Sequence, residues 1–242
     1  MNRTPAAAPA TATAAEVAAA LGDGRAVVLP NPAPLTRVVA GRRAPAVNEA
    51  KGRPAAQPVA LWAHHPETRR ALDGVWDLPA DRLPFVHRLL TEEHLTVLLP
   101  VRADAALPGW AAPAVQDGWM LLFGARWEPL RPLLDPHPVL YVSSANRTGQ
   151  PPAATAADAL AMFPPTVPVL PDPDPAPDPV AGVPTTRRAT TTVRLHPDGT
   201  PALHRHGAQD AGAPDAAHYL RGLAARLDRP VTGPNSLRSH RS

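Results

Sequence analysis

Residues 95–100 read Leu95-Thr96-Val97-Leu98-Leu99-Pro100, an apolar run of strand length closed by a proline that cannot donate to a ladder. Upstream of it, Thr68 to Leu72 and Ala80 to Leu90 carry helical spacing, the second interrupted by Pro84. Downstream, Met120 to Phe123 and Val139 to Val142 are further strands. Nearer the N-terminus, Thr13 caps a helix over Ala14 to Leu21 that the glycines at 22 and 24 close. Val27-Val28-Leu29-Pro30 reads as a buried strand, residues 44–50 as a helix and Pro58 to Ala63 as a strand. Thr155 to Met162 reads as a helix and Thr190 to Leu195 as a strand that turns through His196-Pro197-Asp198-Gly199 into a partner around Ala202 to His204. Asp215 to Leu227 places Leu220, Leu223 and Leu227 on one helix face. Strands alternating with helices predict an α/β sheet in one domain over 13–210, preceded by a flexible arm at 1–12 and followed at 211–242 by a helix and a basic tail.

Composition removes several classes of function. The chain has 242 residues with 34 prolines and 15 glycines, so its elements are short and its turns many. From Leu170 to Gly182 the prolines alternate with other residues, which forbids both helix and ladder and implies a stiff extended loop. No apolar run approaches the roughly 18 residues of a membrane span. Cysteine is absent, which excludes thiolate chemistry, disulfides and cysteine-ligated zinc and suits a cytoplasmic protein. No charged start followed by an apolar stretch opens the chain, so no secretory signal is expected. The net charge of +3 is too small to argue for nucleic acid by itself.

Two rarities then stand out. Lys51 is the sole lysine, and Ser143 and Ser144 are the only serines before the last seven residues. Lys51 begins Lys51-Gly52-Arg53-Pro54, between a helix and a strand, where an ammonium and a guanidinium two residues apart can aim at phosphate oxygens. The same spacing also suits a solvated basic turn. Ser143-Ser144-Ala145-Asn146-Arg147-Thr148-Gly149 follows the Val139 to Val142 strand, at the kind of strand end where α/β sheets bind ligands, or forms an ordinary polar turn. Pairs such as His64-His65 and His204/His206 lack partners at metal-ligand spacing and read as solvated or structural, so no metal site is assigned.

These segments together resemble the YrdC-like family of threonylcarbamoyl-AMP synthases. Val27 to Pro30 resembles its first strand, Lys51-Gly52-Arg53-Pro54 its KGRP turn, Leu95 to Pro100 its Leu-Thr-Leu-Val-Leu-Pro strand, and Ser144 to Pro151 its Ser-Ala-Asn-x-Ser-Gly-x-Pro. Thr191-Thr192-Val193 resembles its Ser-Thr-Val, and Leu203 to Ala208 its closing Leu-Arg-Pro-Gly-Ala, which sets Arg205 on that arginine. The resemblance runs from about Glu16 to Ala208. It implies a single-domain, twisted mixed sheet with flanking helices around a positively charged cleft. It implies ATP and Mg²⁺ as ligands, with Lys51, Arg53, Ser144, Asn146, Thr191 and Arg205 on the nucleotide and Lys51, Arg53 and Arg205 as the catalytic cations. It implies bicarbonate or carbamate and a small amine or amino acid as co-substrates, and a tRNA or a downstream transferase as partner.

The departures fall on the threonine side of that pattern. Asn31-Pro32-Ala33-Pro34-Leu35-Thr36-Arg37 stands where the family has Thr-Asp/Glu-Thr-Val-Tyr-Gly-Leu. The family's histidine falls on Trp62, and its second arginine on Gly124, unless a shifted register brings Arg126 into that place. The expected substrate pocket is thus Asn31, Trp62, Gly124 and Arg126. Three functions follow from this division: an enzyme forming a carbamoyl- or acyl-adenylate on a substrate other than threonine, the ordinary synthase, and a degenerate module that binds nucleotide or RNA without catalysis.

Overall fold

The computed structural model describes residues 10–125, 127–172 and 186–227. Residues 1–9 of the arm expected at 1–12, Arg126, the greater part of the proline segment and the tail beyond 227 lie outside the described residues; Ala12, at the end of that arm, donates its amide to the Val169 carbonyl at 2.8 Å.

A nine-stranded sheet is the frame. Its strands are β1 (Val27–Leu29), β2 (Val38–Gly41), β3 (Ala60–Trp62), β4 (Thr96–Pro100), β5 (Val115–Gln116), β6 (Trp119–Phe123), β7 (Tyr141–Ser144), β8 (Thr192–Leu195) and β9 (Pro201–Arg205). Across the sheet they run β1, β2, β7, β3, β6, β4, β8, β9, with β5 paired to β6 off this path. The pairs β3·β6 and β4·β8 are parallel and the others antiparallel, so the sheet is mixed. The helices are α1 (Ala14–Gly22), α2 (Ala44–Ala50), α3 (Pro66–Leu72), α4 (Leu83–Thr91), α5 (Arg131–Leu134), α6 (Ala156–Met162) and α7 (Ala216–Leu227).

Local chemistry sets the helix ends. Thr13 accepts from the Glu16 amide while Glu16 bonds back to the Thr13 amide, and Thr155 and Asp158 repeat this reciprocal cap on α6; each removes orphan donors of a first turn. Pro84 opens α4 instead of interrupting a helix from Ala80: it occupies the first turn, where no N–H is needed, and a 3₁₀ turn over Ala80–Arg82 leads into it. The strand expected over Val139 to Val142 starts at Tyr141 and includes both serines. β2 escapes the sequence reading because Val38-Val39-Ala40-Gly41 is short and follows two prolines; its pairing with β1 and β7 supplies what local pattern does not.

Alternation along the strands divides the core into two layers. Val28, Val39, Leu61, Val97, Leu99, Met120, Leu122 and Val193 face a large cluster under α2, α3, α4, α6 and α7. Tyr219, Leu223 and Leu227 bring α7 into that same cluster, so the C-terminal helix shares the domain's core. Val27, Leu29, Val38, Ala40, Ala60, Trp62, Phe123 and Val142 face a smaller cluster with α1 and α5. Val38, Ala60, Phe123 and Val142 belong to this second layer and also wall the main cavity. No helix among the described residues is long and apolar enough to cross a membrane.

Candidate functional site

The cavity measures about 370 Å³ and draws on distant parts of the chain, within the range typical of small-molecule sites. Lys51 and Arg53 enter from the turn after α2, Ser143 and Ser144 from the end of β7, Asn146, Thr148 and Gly149 from the turn beyond it, and Arg205 from the end of β9. Val38, Val59, Ala60, Leu121, Phe123 and Val142 form an apolar wall.

Lys51 is 3% exposed, and its ammonium has three acceptors. The Nζ donates to the Ser144 carbonyl, to the Asn146 carbonyl at 2.7 Å and to Asn146 Oδ1 at 2.8 Å. Three donors thus meet three oxygens of one turn. Burial, and secondarily the Arg53 charge, push its pKa down to about 7, while the acceptors favour the proton's staying. Ser144 Oγ donates to Asn146 Oδ1 at 2.5 Å, and Asn146 Nδ2 donates to the Arg147 and Gln150 carbonyls at 3.1 and 2.8 Å. The side chains of Lys51, Ser144 and Asn146 therefore hold one another. Gly52, at φ +66°, makes the turn possible, since this left-handed backbone disfavours side chains.

Arg53 is oriented by one bond, from its Nε to Asn48 Oδ1 at 2.5 Å. Buried Asn48 is itself fixed by donating to the carbonyls of Ala55 and Gln57 at 2.9 and 2.7 Å. The Arg53 terminal nitrogens have no partner among the described residues, and burial lowers the group's pKa. Arg205 keeps solvent access and makes one long bond, 3.4 Å, to the Thr190 carbonyl. No ion pair joins Lys51, Arg53 or Arg205 to a carboxylate among the described residues. The fourth lining cation, Arg37, is fully buried; it donates to the Leu170 carbonyl at 2.8 Å and pairs with Asp172 at 3.2 Å.

The structure gathers five of the six sequence-derived nucleotide residues around one cavity. Lys51, Arg53, Ser144, Asn146 and Arg205 share the cavity. Thr191 does not join them: it is fully buried, with its Oγ1 on Asp210 at 2.5 Å, and its neighbour Thr190 faces the cavity instead. Thr190 Oγ1 meets Thr96 Oγ1 at 2.5 Å across the β4·β8 pair. Thr96 and Thr190 were missed because only the parallel register of these strands brings them together.

Of the expected substrate pocket, Asn31 lines the cavity, its Nδ2 spent on the Thr36 carbonyl at 2.8 Å. Trp62 belongs to the second core layer, fully buried, and its indole N–H donates to the Ala125 carbonyl at 2.7 Å. A large apolar ring whose one donor is satisfied inside is core. Gly124 is a close-packing position, because a Cβ there would stand 2.6 Å from Leu90 Cα and from its carbonyl oxygen. Arg126 lies outside the described residues. Among the described residues no three His, Cys, Asp or Glu gather as a metal site. A divalent cation arriving with a nucleotide would be held by that nucleotide's phosphates, since no carboxylate among the described residues lines the cavity.

The search of known structures finds the same arrangement of elements. The crystal structure of P. abyssi Sua5 complexed with L-threonine superimposes with a TM-score of 0.57 at 18% identity, covering 81% of this chain and 55% of that one. E. coli YciO gives a TM-score of 0.57 at 12% identity and covers 84% of this chain and 95% of its own. The fold is that of Sua5 and YciO. Full-length HypF in its phosphate- and nucleotide-bound form shares that fold over 86% of this chain, with a TM-score of 0.56 at 17% identity, and the match covers 30% of HypF. The chain thus spans little more than half the length of the Sua5 structures it matches. No family model and no curated protein matches the sequence.

Proposed function

We propose that this protein binds ATP in the Lys51–Arg53–Arg205 cavity and transfers its adenylyl group to a small carboxylate or carbamate, on a substrate other than threonine, with release of pyrophosphate. One observation carries this reading: three cations without a counter-ion among the described residues converge on a cavity whose described lining contains no carboxylate. Such a site is built for a polyanion, and adenylyl transfer depends chiefly on positioning and on neutralising phosphate charge. Arg53 and Arg205, which line the cavity together with the Ser144–Gly149 turn, have guanidinium nitrogens to spare for phosphate oxygens. Lys51 contributes its charge while its N–H groups hold the turn. The Thr148 and Gly149 amides donate to nothing among the described residues, and both residues line the cavity.

The fold's presence in HypF, whose structure is phosphate- and nucleotide-bound, supports the nucleotide. The rebuilt 31–37 segment, closed on itself by Asn31 and clamped by Arg187 to the Asn31 and Leu35 carbonyls at 2.9 and 2.8 Å, supports a substrate other than threonine. The test is calorimetry with ATP and Mg²⁺, followed by exchange of labelled pyrophosphate into ATP with a panel of acids. ATP is expected to bind, with Arg53→Met and Arg205→Met each weakening it at least roughly tenfold. A threonine- and bicarbonate-dependent adenylate would return the ordinary synthase reading, and no ATP binding at all would leave neither enzyme standing.

A second expectation follows from the depressed Lys51 pKa of about 7. Above that pH the free protein gives up the Lys51 proton, and a bound triphosphate draws the pKa back toward its ordinary value. Binding at pH 8 should therefore take up about one proton, and affinity should fall by up to roughly tenfold per pH unit above 7. Calorimetry in buffers of different ionisation enthalpy measures the uptake; Lys51→Arg, which never deprotonates, should abolish it.

A further inference from the structure

We infer that Asn48 is a positioning residue for the cation beside it: its side chain, which does not itself line the cavity, holds Arg53 so that the guanidinium meets a bound triphosphate with its two terminal nitrogens. The inference rests on the nucleotide reading above and adds how one of its cations is aimed.

Asn48 is a fully buried amide in the seven-residue helix α2, and neither the helix nor the core asks for it. Asparagine ranks low as a helix former. Its helix neighbours Ala44, Ala46, Val47 and Ala50 belong to the large apolar cluster, where an amide is costly unless its polar atoms are bonded. Here both are. The Nδ2 donates to the Ala55 and Gln57 carbonyls at 2.9 and 2.7 Å, which fixes the chain beyond Arg53, and the Oδ1 accepts from Arg53 Nε at 2.5 Å. The Asn48 backbone carbonyl also accepts from the Lys51 and Arg53 amides at 3.1 and 3.0 Å, two bonds that any residue at 48 could make. What asparagine adds is therefore confined to its side chain, and all of it is spent on the segment that carries Arg53.

The bond at Nε decides which part of Arg53 is offered. A guanidinium can grip an oxyanion along the edge made by Nε and one terminal nitrogen, or along the edge made by both terminal nitrogens. Nε has one hydrogen, and Asn48 takes it. The first edge is closed and the second is left for the phosphate. Arg53 is also ordered before a ligand arrives, its backbone by the turn at Gly52 and its head by Asn48, so a long side chain loses little further freedom on binding. Asn48 thus acts on the nucleotide through Arg53, without touching it.

The test is a double-mutant cycle of Asn48→Leu, close in size but without polar atoms, with Arg53→Met. ATP affinity is read by calorimetry with Mg²⁺, and thermal melting establishes that each variant is folded at the temperature used. Asn48→Leu is expected to weaken ATP about tenfold in the wild type and no more than about twofold in the Arg53→Met background. Equal losses in the two backgrounds would make Asn48 merely structural, and undiminished affinity in Asn48→Leu would remove it from binding; either result overturns the inference. Should Asn48→Leu not fold, NMR exchange of the Arg53 Nε proton in the wild type decides, with the signal assigned by its absence in Arg53→Met. That proton is expected to exchange more slowly than those of the exposed arginines. Equally fast exchange, with ATP still bound, overturns this inference alone, whereas a wild type that binds no ATP defeats the underlying function whatever that proton does.

Discussion

Lys51→Met is expected to lower ATP affinity at least roughly a hundredfold while destabilising the fold by only about 2 kcal/mol. The two effects differ because opposing terms meet in stability and add in binding. Methionine keeps most of the buried stem but leaves the Ser144 and Asn146 carbonyls without their donor; Asn146 Oδ1 retains the Ser144 hydroxyl. Each buried acceptor stripped of its donor costs about 1–3 kcal/mol. Against this, the variant no longer buries an ammonium, a burial heavy enough to bring the pKa of Lys51 to about 7. The net loss should appear as a melting midpoint about 4–8 °C lower. In binding nothing offsets the change: a cation lining the cavity disappears, and the turn bearing Thr148 and Gly149 loses its tie to the end of α2. Lys51→Arg restores the charge but spreads its donors in a planar fork that cannot meet three oxygens disposed around one nitrogen. It should recover stability less well than affinity. Equal ATP affinity in wild type and Lys51→Met would remove Lys51 from the site.

Gly207→Ala should be the most destabilising single methyl near the cavity, by about 4 kcal/mol or more, with a midpoint lowered by roughly 8–16 °C. A Cβ at 207 would stand 2.2 Å from the Thr191 amide nitrogen, 2.4 Å from the Thr190 carbonyl carbon and 2.5 Å from the Ala189 oxygen. All three are backbone atoms leading into a strand, so no side chain can swing aside. The same residue's amide donates to Asp210 Oδ1 at 2.7 Å, and Asp210 also holds Thr191 Oγ1 and His206 Nδ1, each at 2.5 Å. Displacing the strand start therefore moves Thr190, and with it the carbonyl that Arg205 bonds. Thermal melting with ATP binding measured on the remaining folded protein checks both halves. A midpoint within a degree or two of wild type would show that the two backbones separate without cost.

Most elements are legible in the chain because their causes are local. Reciprocal caps at Thr13 and Thr155, the apolar run before Pro100, and the β-branched stretch ahead of the turn at 196–199 each act within a few residues of themselves. The exceptions follow one rule. β2 is unremarkable in composition and is a strand because β1 and β7 lie on either side of it. Pro84 reads as a breaker until its position in a first turn is known. Trp62 and Gly124 look like altered ligand positions in a linear comparison, yet one fills a core layer and the other lets two backbones approach.

For the site, the lone lysine, the two adjacent serines and the arginine near the end of the domain mark by their rarity and order the groups that meet in the cavity. What residue order could not show is how those groups spend their hydrogen bonds. Lys51 is 93 and 95 positions from Ser144 and Asn146, whose oxygens take its three donors; Thr190 and Thr96 meet through a parallel register, and Arg37 is neutralised by Asp172 from 135 positions away. The sequence alone determined the kinds of charge available and the elements that carry them, because both are properties of short segments. Only the tertiary structure decided which charges remain uncompensated and which donors remain free, because compensation depends on distance in space and a chain folded into a sheet sets that distance without regard to separation along its length.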